Sequence, residues 1–246
     1  MKLFHQSELP QDLKAEIKKV SSSLELEITS EQPENEDFLS YEEKGLSFWH
    51  QELGELHLDF LNDNVNYKRK SHRGKSELIA KAVGLPKGIS EVFDATLGLA
   101  QDAWFLAQLG AHVVGCERSP VLYLLLANAL ERARAVYSNI RLEIHFADSI
   151  SYLKERSTPV AVVYMDPMFP EKKKSALPRK EMRIFRHLVG DDLDSLDLLE
   201  SSLQCASERV VVKRPVKSEP LRKGVIHSFE GNTVRYDLYS PVTEKE

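Results

Sequence analysis

The stretch Val92-Phe93-Asp94-Ala95-Thr96-Leu97-Gly98-Leu99-Ala100-Gln101-Asp102 decides the fold. A short apolar run enters a carboxylate, a loop of mainly small residues follows, and a helical pattern then begins. Further apolar runs occur along the chain, at 113–116, 142–146 and 160–165. Helical patterns separate the runs, at 102–109, 120–135 and 149–155. Short apolar runs spaced by helices are typical of a parallel sheet covered on both faces.

The two ends of the chain add different elements. A strand at 209–213 and a hairpin of 225–229 with 233–239 close the predicted sheet at its C-terminal side. The first sixty residues show a helix near 9–20 and short strands around 24–28, 46–49 and 56–60. Turn residues at 62–64 mark a boundary. We therefore predict a doubly wound α/β domain over 64–246, ending in an antiparallel hairpin, and a small N-terminal α+β subdomain over 1–63.

Composition excludes several classes of protein. The chain has 246 residues, of which 42% are hydrophobic and 29% charged, as expected for a soluble globular domain. Its start lacks a secretory signal, and its longest apolar stretch, 121–130, is too short to span a membrane. Cys116 and Cys205 lie far apart without metal-ligand spacing, so we expect a reduced, cytoplasmic protein with no metal and no membrane association.

Charge is distributed unevenly along the chain. Residues 1–63 carry 15 acidic against 5 basic side chains, whereas residues 64–246 carry 28 basic against 23 acidic. An acidic front and a basic body indicate either a polyanion-binding surface on the second part or an uneven surface without function.

Carboxylates stand at or just beyond the ends of four predicted strands: Asp94, Glu117, Asp148 and Asp166. Ligands of such sheets bind beyond the carboxyl ends of the strands. The loop after Asp94 places Gly98 near a helix N-terminus but lacks the Gly-x-Gly-x-x-Gly pattern, which disfavours NAD and FAD. Glu117 stands where an acid accepts both ribose hydroxyls, and Arg118 would flank an adenine. A nucleoside without a pyrophosphate fits best, and S-adenosylmethionine is the commonest example.

The segment Val162-Val163-Tyr164-Met165-Asp166-Pro167-Met168-Phe169-Pro170 is the most specific local signal. An exocyclic base amine is a poor nucleophile because its lone pair is delocalised into the ring. The carboxylate of Asp166 and the carbonyl of Pro167 would accept its two N–H groups, and Phe169 would stack on the base. The alternative is an Asp-Pro turn beside a core phenylalanine.

Basic residues surround this segment in the sequence. The candidates for RNA contact are Lys68, Arg69, Lys70, Arg73, Lys172, Lys173, Lys174, Arg179, Lys180, Lys213 and Arg214. They would neutralise phosphates at the mouth of the crevice, or else form solvated helix faces.

Several of these blocks resemble the ribosomal RNA small subunit methyltransferase J family. The similarity covers roughly residues 64–240 and rests on these blocks: 94–103, 117–120, 163–170, Lys174-Ser175-Ala176-Leu177, Lys180-Glu181-Met182-Arg183 and 210–215. The resemblance implies a Rossmann-like class I methyltransferase sheet that uses S-adenosyl-L-methionine to methylate N2 of one guanine in 16S ribosomal RNA. Its partner would be small-subunit rRNA or the assembled small subunit.

The resemblance also implies which residues contact the cofactor. Carried over by position, these are Gln101, Asp102, Glu117, Arg118, Asp148, Ser149 and Asp166. The sequence departs from the family pattern at Gln101, where Arg is usual, and at Ala100, where Gly is frequent.

Other functions stay open on the motif alone. Adenine N6, cytosine N4 and protein glutamine are alternative amine acceptors. A nicotinamide-dependent oxidoreductase and a non-catalytic RNA-binding module are alternatives of other classes, although a binding module has no use for carboxylates at successive strand ends. The sequence does not indicate an oligomeric state.

Overall fold

A computed structural model of the chain describes residues 1–6, 8–61, 77–168 and 179–242. The strands of this part are β1 (Lys2–His5), β2 (Glu27–Thr29), β3 (Phe38–Glu42), β4 (Gly45–His50), β5 (Gly54–His57), β6 (Glu91–Asp94), β7 (His112–Glu117), β8 (Leu142–Phe146), β9 (Val160–Met165), β10 (Ala206–Pro215), β11 (His227–Glu230) and β12 (Val234–Tyr239). The α-helices are α1 (Gln11–Val20), α2 (Leu78–Val83), α3 (Gln101–Gln108), α4 (Pro120–Val136), α5 (Ser149–Glu155), α6 (Lys180–Val189) and α7 (Ser195–Cys205).

The described residues form two compact units. The first draws on 1–62, 118–139 and 170–191, and the second on 63–117, 140–169 and 192–246. The first unit therefore includes α4 and α6 in addition to the N-terminal segment 1–62.

The first unit contains a sheet of order β2-β1-β3-β4-β5, in which β1 is parallel to both neighbours and β3, β4 and β5 are antiparallel. Helix α4 packs on β4. The buried side chain of Asn128 accepts a hydrogen bond from the Leu46 N–H (2.8 Å), and Arg132 donates to the Leu58 carbonyl. The Tyr123 hydroxyl donates to Glu16 on α1 (2.6 Å). These polar contacts explain why α4 belongs with the N-terminal sheet.

The second unit contains a sheet of order β11-β12-β10-β9-β6-β7-β8. Strands β6 to β10 are mutually parallel, and β12 and β11 add an antiparallel edge. From β6 the chain continues to β7 on one side, whereas β9 lies on the other. The order of the strands reverses between β6 and β9, which is where α/β sheets of this kind bind their ligands.

Side chains alternate between the two faces of this second sheet. One face is apolar and packs on α5 and α7, with a core that includes Phe93, Val163, Met165, Val210 and Val212. The residues between them along β6, β9 and β10 face the opposite side, where α2 and α3 pack. The predicted α/β class, with its parallel sheet and C-terminal hairpin, is confirmed.

The N-terminal segment differs more from its prediction. Strands β1 and β3 were not predicted, and the strand expected at 24–28 begins only at Glu27. Among the described residues, no helix combines the length and the apolar character needed to cross a membrane.

Candidate active site

The ends of β6 and β9 are joined at the point where the strand order reverses. The Ala95 N–H donates to the Tyr164 carbonyl (2.9 Å), and the Asp166 N–H donates to the Thr96 hydroxyl oxygen (2.6 Å). These bonds fix the loop after β6 to the turn after β9. Asp94, the last residue of β6, and Asp166, directly after β9, are therefore held at the same edge of the sheet.

The loop after β6 is compact. Gly98 and Ala100 both have left-handed backbone conformations, with φ of 53° and 54°, and Ala100 is the N-cap of α3. Leu97 packs on Gly115 of β7 so closely that a Cβ atom at Gly115 would lie 2.6 Å from its Cδ1. The absence of a side chain at Gly115 thus lets the loop fold down over the neighbouring strand.

Asp94 is buried, with 2% of the residue exposed, and its carboxylate accepts the Thr96 N–H at 3.1 Å. Burial raises the pKa of Asp94 to about 8, and the nearby Asp102 and Asp166 carboxylates act in the same direction. The Thr96 hydrogen bond and the Lys213 ammonium oppose this rise.

A lysine joins two carboxylates next to Asp94. The Nζ atom of Lys213 on β10 lies 2.9 Å from Oδ2 of Asp102 and 2.8 Å from Oδ2 of Asp166. The Tyr164 hydroxyl donates to the same Asp102 oxygen at 2.6 Å. Burial raises the pKa of Tyr164 well above its usual value, so its hydroxyl keeps the proton that it donates.

The charges of this cluster act on one another. Burial opposes the charge on Lys213, but Asp166 and Asp102 outweigh it and raise the pKa of the ammonium. Burial raises the pKa of Asp166, against the influence of Lys213. Because 42% of the Asp166 side chain is exposed, water moderates this rise and the carboxylate stays accessible to a ligand.

Hydrogen bonds to Asp192 hold the turn after Asp166. Pro167 is buried, and Asp192 binds the next residue twice: its carboxylate accepts the Met168 N–H (2.7 Å), and its own N–H donates to the Met168 carbonyl (3.1 Å). The Asp-Pro-Met turn is thus anchored on both sides, by Thr96 and by Asp192. The predicted site residue Phe169 lies outside the described residues.

The other predicted cofactor residues stand at strand ends and at the starts of helices. Glu117 is buried at the end of β7, and its carbonyl accepts the Ala147 N–H after β8 (3.2 Å). Asp148 is the N-cap of α5 and accepts the Ser151 N–H (2.9 Å). Ser149 is buried in the first turn of α5. Gln101 is exposed at the start of α3, and Arg118 is exposed in the first unit.

The structure separates the predicted RNA-binding residues into groups. Arg179 and Lys180 are exposed at the start of α6. The predicted RNA-binding role of Lys213 and Arg214 needs correction. Lys213 pairs with two carboxylates. Arg214 is 9% exposed and donates from Nε and Nη2 to the Glu219 carbonyl. The remaining candidates, Lys68, Arg69, Lys70, Arg73, Lys172, Lys173 and Lys174, lie outside the described residues.

A second buried ion pair stabilises the antiparallel edge. Arg235 on β12 donates to both oxygens of Asp237 (2.7 and 3.0 Å), and 7% of Arg235 and 1% of Asp237 is exposed. The Nη1 atom of Arg235 also donates to three carbonyls at the end of β10 and just beyond it: those of Pro215, Val216 and Ser218. This pair ties that segment to the hairpin.

One group in the first unit has side chains that metals use. Ligand atoms of Asp37, His50 and His187 lie within 4.8 Å of one another. His187 Nε2 lies 2.9 Å from Asp37, and His50 Nδ1 accepts the N–H groups of Glu52 and Leu53 (3.1 and 3.2 Å). A metal-binding imidazole usually donates a hydrogen bond from the nitrogen that does not bind the metal, whereas Nδ1 of His50 accepts. The hydrogen bonds of this group therefore do not favour metal binding by His50.

Sequence reasoning missed Tyr164 and Asp192 as site residues and gave Lys213 a different role. Tyr164 stands two residues before Asp166, and this spacing places both side chains on one face of the strand. Lys213 directly follows the apolar run of β10, and parallel strands end at the same edge of the sheet, so its position could also have indicated a site residue. Asp192 lies far from Met168 in sequence, and no short-range pattern indicated its contact.

Comparisons with known proteins identify the family. The family model described as "Putative SAM-dependent methyltransferase" matches residues 20–241. The chain is 46% identical over 222 residues to the ribosomal RNA small subunit methyltransferase J of Bdellovibrio bacteriovorus, covering 89% of this chain and 88% of the relative. It is 45% identical over 196 residues to the protein of the same name from Psychromonas ingrahamii, covering 76% of each.

A solved structure shows the same fold. The crystal structure of a SAM-dependent methyltransferase from Neisseria gonorrhoeae superposes with a TM-score of 0.77 at 28% identity, over 100% of this chain and 98% of that one. The enzyme class and the S-adenosylmethionine cofactor expected from the sequence are thereby confirmed. The chain belongs to the ribosomal RNA small subunit methyltransferase J family of S-adenosylmethionine-dependent methyltransferases.

Proposed function

We propose that this enzyme transfers a methyl group to the exocyclic N2 amine of one guanine in small-subunit (16S) ribosomal RNA. The observation that carries the proposal is the Asp166-Pro167 turn, held beside the strand-order reversal with its carboxylate accessible to solvent. The names of the relatives supply the class of RNA. The guanine N2 position rests on the resemblance of residues 163–170 to the family.

The residues at the strand ends fit S-adenosylmethionine. Glu117 can accept hydrogen bonds from the hydroxyls of a ribose. The negative charge of an ionised Asp166 suits a positively charged ligand and would repel a pyrophosphate. We assign Glu117 to the ribose, Asp148 and Ser149 to the adenine, and Asp102 and Gln101 to the amino-acid end. When bound, the cofactor supplies an electrophilic methyl group on its sulfonium.

Asp166 and Pro167 orient the amine. The carboxylate and the Pro167 carbonyl each accept one N–H of the guanine amine, which turns the nitrogen lone pair toward the methyl carbon. Methyl transfer would leave the neutral thioether of S-adenosylhomocysteine, and the proton that the methylated nitrogen gives up would pass to the Asp166 carboxylate or to water. Most of the rate enhancement would come from positioning. The base must leave its stack to reach this site, and Phe169 is our candidate for stacking on it.

RNA binding is assigned to basic side chains outside the cluster. Arg179 and Lys180 are exposed at the start of α6, and the basic residues of 68–73 and 172–174 complete the proposed phosphate-binding set. Affinity should then fall steeply with salt concentration. An enzyme that modifies ribosomal RNA would work in the cytoplasm, on free rRNA or on the small subunit.

The test is methyl transfer from labelled S-adenosylmethionine to small subunits that lack this modification, followed by nucleoside analysis. We expect label in N2-methylguanosine. Label in N6-methyladenosine or N4-methylcytidine would keep the enzyme class and overturn the proposed base. Label in protein alone would overturn RNA as the substrate.

A further inference from the structure

Lys213 occupies a position that the reaction can use. Parallel pairing of β10 with β9 aligns Val211 with Tyr164 and Val212 with Met165, so the next residues in register are Lys213 and Asp166. The ammonium lies 2.8 Å from Asp166 Oδ2, and 22% of the Lys213 side chain is exposed. This pair is built by two adjacent strands and does not depend on a surface loop.

Two further contacts hold the ammonium in place. Asp102, in the first turn of α3, binds it at 2.9 Å, and the Tyr164 hydroxyl binds the same Asp102 oxygen at 2.6 Å. The chain of contacts runs from Tyr164 through Asp102 and Lys213 to Asp166. A lysine fixed by two carboxylates has less freedom than a solvated one, so its charge stays at one place.

We propose that Lys213 is a positioning residue for methyl transfer: its ammonium holds Oδ2 of an ionised Asp166, so that Oδ1 accepts the N–H of the substrate amine. The inference rests on the proposed role of Asp166. A protonated Asp166 would present an O–H to the amine in place of an acceptor, and the amine would lose its orientation.

The surroundings of Asp166 disfavour its ionised form. The titratable groups that face it come from several elements: Asp94 on β6, Asp102 on α3, Tyr164 on β9, Asp192 before α7, Lys213 on β10 and Tyr236 on β12. The carboxylates of Asp102 and Asp192 and the burial of the site favour the protonated form of Asp166. Lys213 brings the positive charge that opposes them.

The pH dependence of kcat/KM distinguishes this role from a structural one. Lys213→Gln keeps a polar side chain but removes the charge, and Lys213→Arg keeps the charge. For Lys213→Gln we expect the acid limb of the profile to move up by about one pH unit or more, a loss of about tenfold on that limb that is regained at higher pH. Lys213→Arg should keep the limb near that of the wild type. Lys223→Gln, at an exposed lysine of the same unit, is the matched control and should not move it.

A second variant predicts a shift of opposite sign. Asp102 raises the pKa of Asp166, so Asp102→Asn, assayed at saturating S-adenosylmethionine, should move the acid limb to lower pH. Carbon NMR of aspartate-labelled protein, with the Asp166 signal assigned by Asp166→Asn, should show the same two shifts without any turnover. The NMR experiment measures the titration of Asp166 directly, so it tests the proposal even if Lys213→Gln is too inactive to assay.

Equal loss of activity at every pH in Lys213→Gln, with an unshifted Asp166 signal, would overturn the inference. If Lys213→Gln does not fold, while Lys213→Arg folds and keeps the wild-type acid limb, Asp102→Asn decides. An unshifted acid limb and an unshifted Asp166 signal in Asp102→Asn would then overturn the inference. Failure of the proposed function looks different, because Asp166→Asn would then methylate like the wild type at every pH.

Discussion

The change Asp94→Asn should stabilise the protein at alkaline pH and lose that advantage as the pH falls. The pKa of Asp94 is raised from 3.8 to about 8 in the folded protein. Between these values the folded protein holds a proton that the unfolded chain releases, so the free energy of unfolding falls as the pH rises. The stabilisation is fully present below the unfolded pKa and is lost as the pH rises through the folded pKa.

The magnitude follows from the size of the shift. A difference of about four pH units, at about 1.4 kcal/mol each, sets a ceiling of about 6 kcal/mol for ionising Asp94 in the folded state. Asn fills the same space, can accept the Thr96 N–H and does not titrate. The advantage of Asp94→Asn over wild type should therefore grow by about 2 kcal/mol between pH 6 and pH 8, where Asp94 is half ionised, and level off above that.

Urea unfolding of wild type and Asp94→Asn at a series of pH values from 6 to 9 measures this difference. Asp12→Asn, at an exposed aspartate on α1, is the control and should show a pH-independent difference. Parallel stability curves for wild type and Asp94→Asn would refute the reasoning, because they would mean that Asp94 ionises in the folded protein as easily as in the unfolded chain.

Three other changes test separate parts of the structure. Arg235→Met leaves the Asp237 carboxylate buried without its partner and should lower the free energy of unfolding by about 3–5 kcal/mol, measured by urea unfolding. Gly45→Ala forces a φ of +107° on a residue with a side chain and places its Cβ 2.6 Å from the Asn128 Oδ1, so we expect a loss of about 1–3 kcal/mol in the same assay. Asp192→Ala releases the turn after Asp166 and should lower kcat by about 10²-fold in a methyl-transfer assay, with little change in the affinity for S-adenosylhomocysteine.

Each of these changes has its own control. Arg222→Met removes an exposed pair with Glu200 and should cost at most about 1 kcal/mol, so an equal loss for Arg222 and Arg235 would contradict the importance of burial. Gly224→Ala also has a positive φ of 99° but meets no atom within 4 Å of its Cβ, so it isolates the backbone strain. A normal kcat in Asp192→Ala would show that Thr96 alone holds the turn.

The parallel sheet was predictable because its information is local. Each of β6 to β9 is a short apolar run next to a helical pattern, and the predicted strand ends agree with the observed ones within a residue. Asp94, Glu117 and Asp166 were identified for the same reason, since a carboxylate after such a run lies at the ligand-binding edge.

The compact units were less predictable because their contacts are distant in sequence. The sequence of α4 reads as an ordinary crossover helix after β7, and only the contacts of Asn128 and Arg132 reveal its packing on the N-terminal sheet. Strand β1 has four residues and no alternation that sets it apart, so it becomes recognisable only when β2 and β3 pair with it.

Lys213 shows a further limit of reading charges in sequence. A lysine beside an arginine near other basic residues indicates a phosphate-binding surface, but the register of β10 with β9 turns this lysine toward the carboxylates of the site. Strand register depends on pairing across the sheet, which a single strand does not encode.

The measurement that tests the central claim most directly is the single-turnover rate of Asp166→Ala on small ribosomal subunits, made alongside its affinity for S-adenosylhomocysteine. Glu208→Ala, at an exposed residue of β10, is the matched control. The proposed amine-orienting role predicts a loss of about 10²-fold or more in the rate for Asp166→Ala, with the fold intact, and none for the control. A near-normal rate with unchanged S-adenosylhomocysteine affinity would contradict the claim that Asp166 orients the substrate amine.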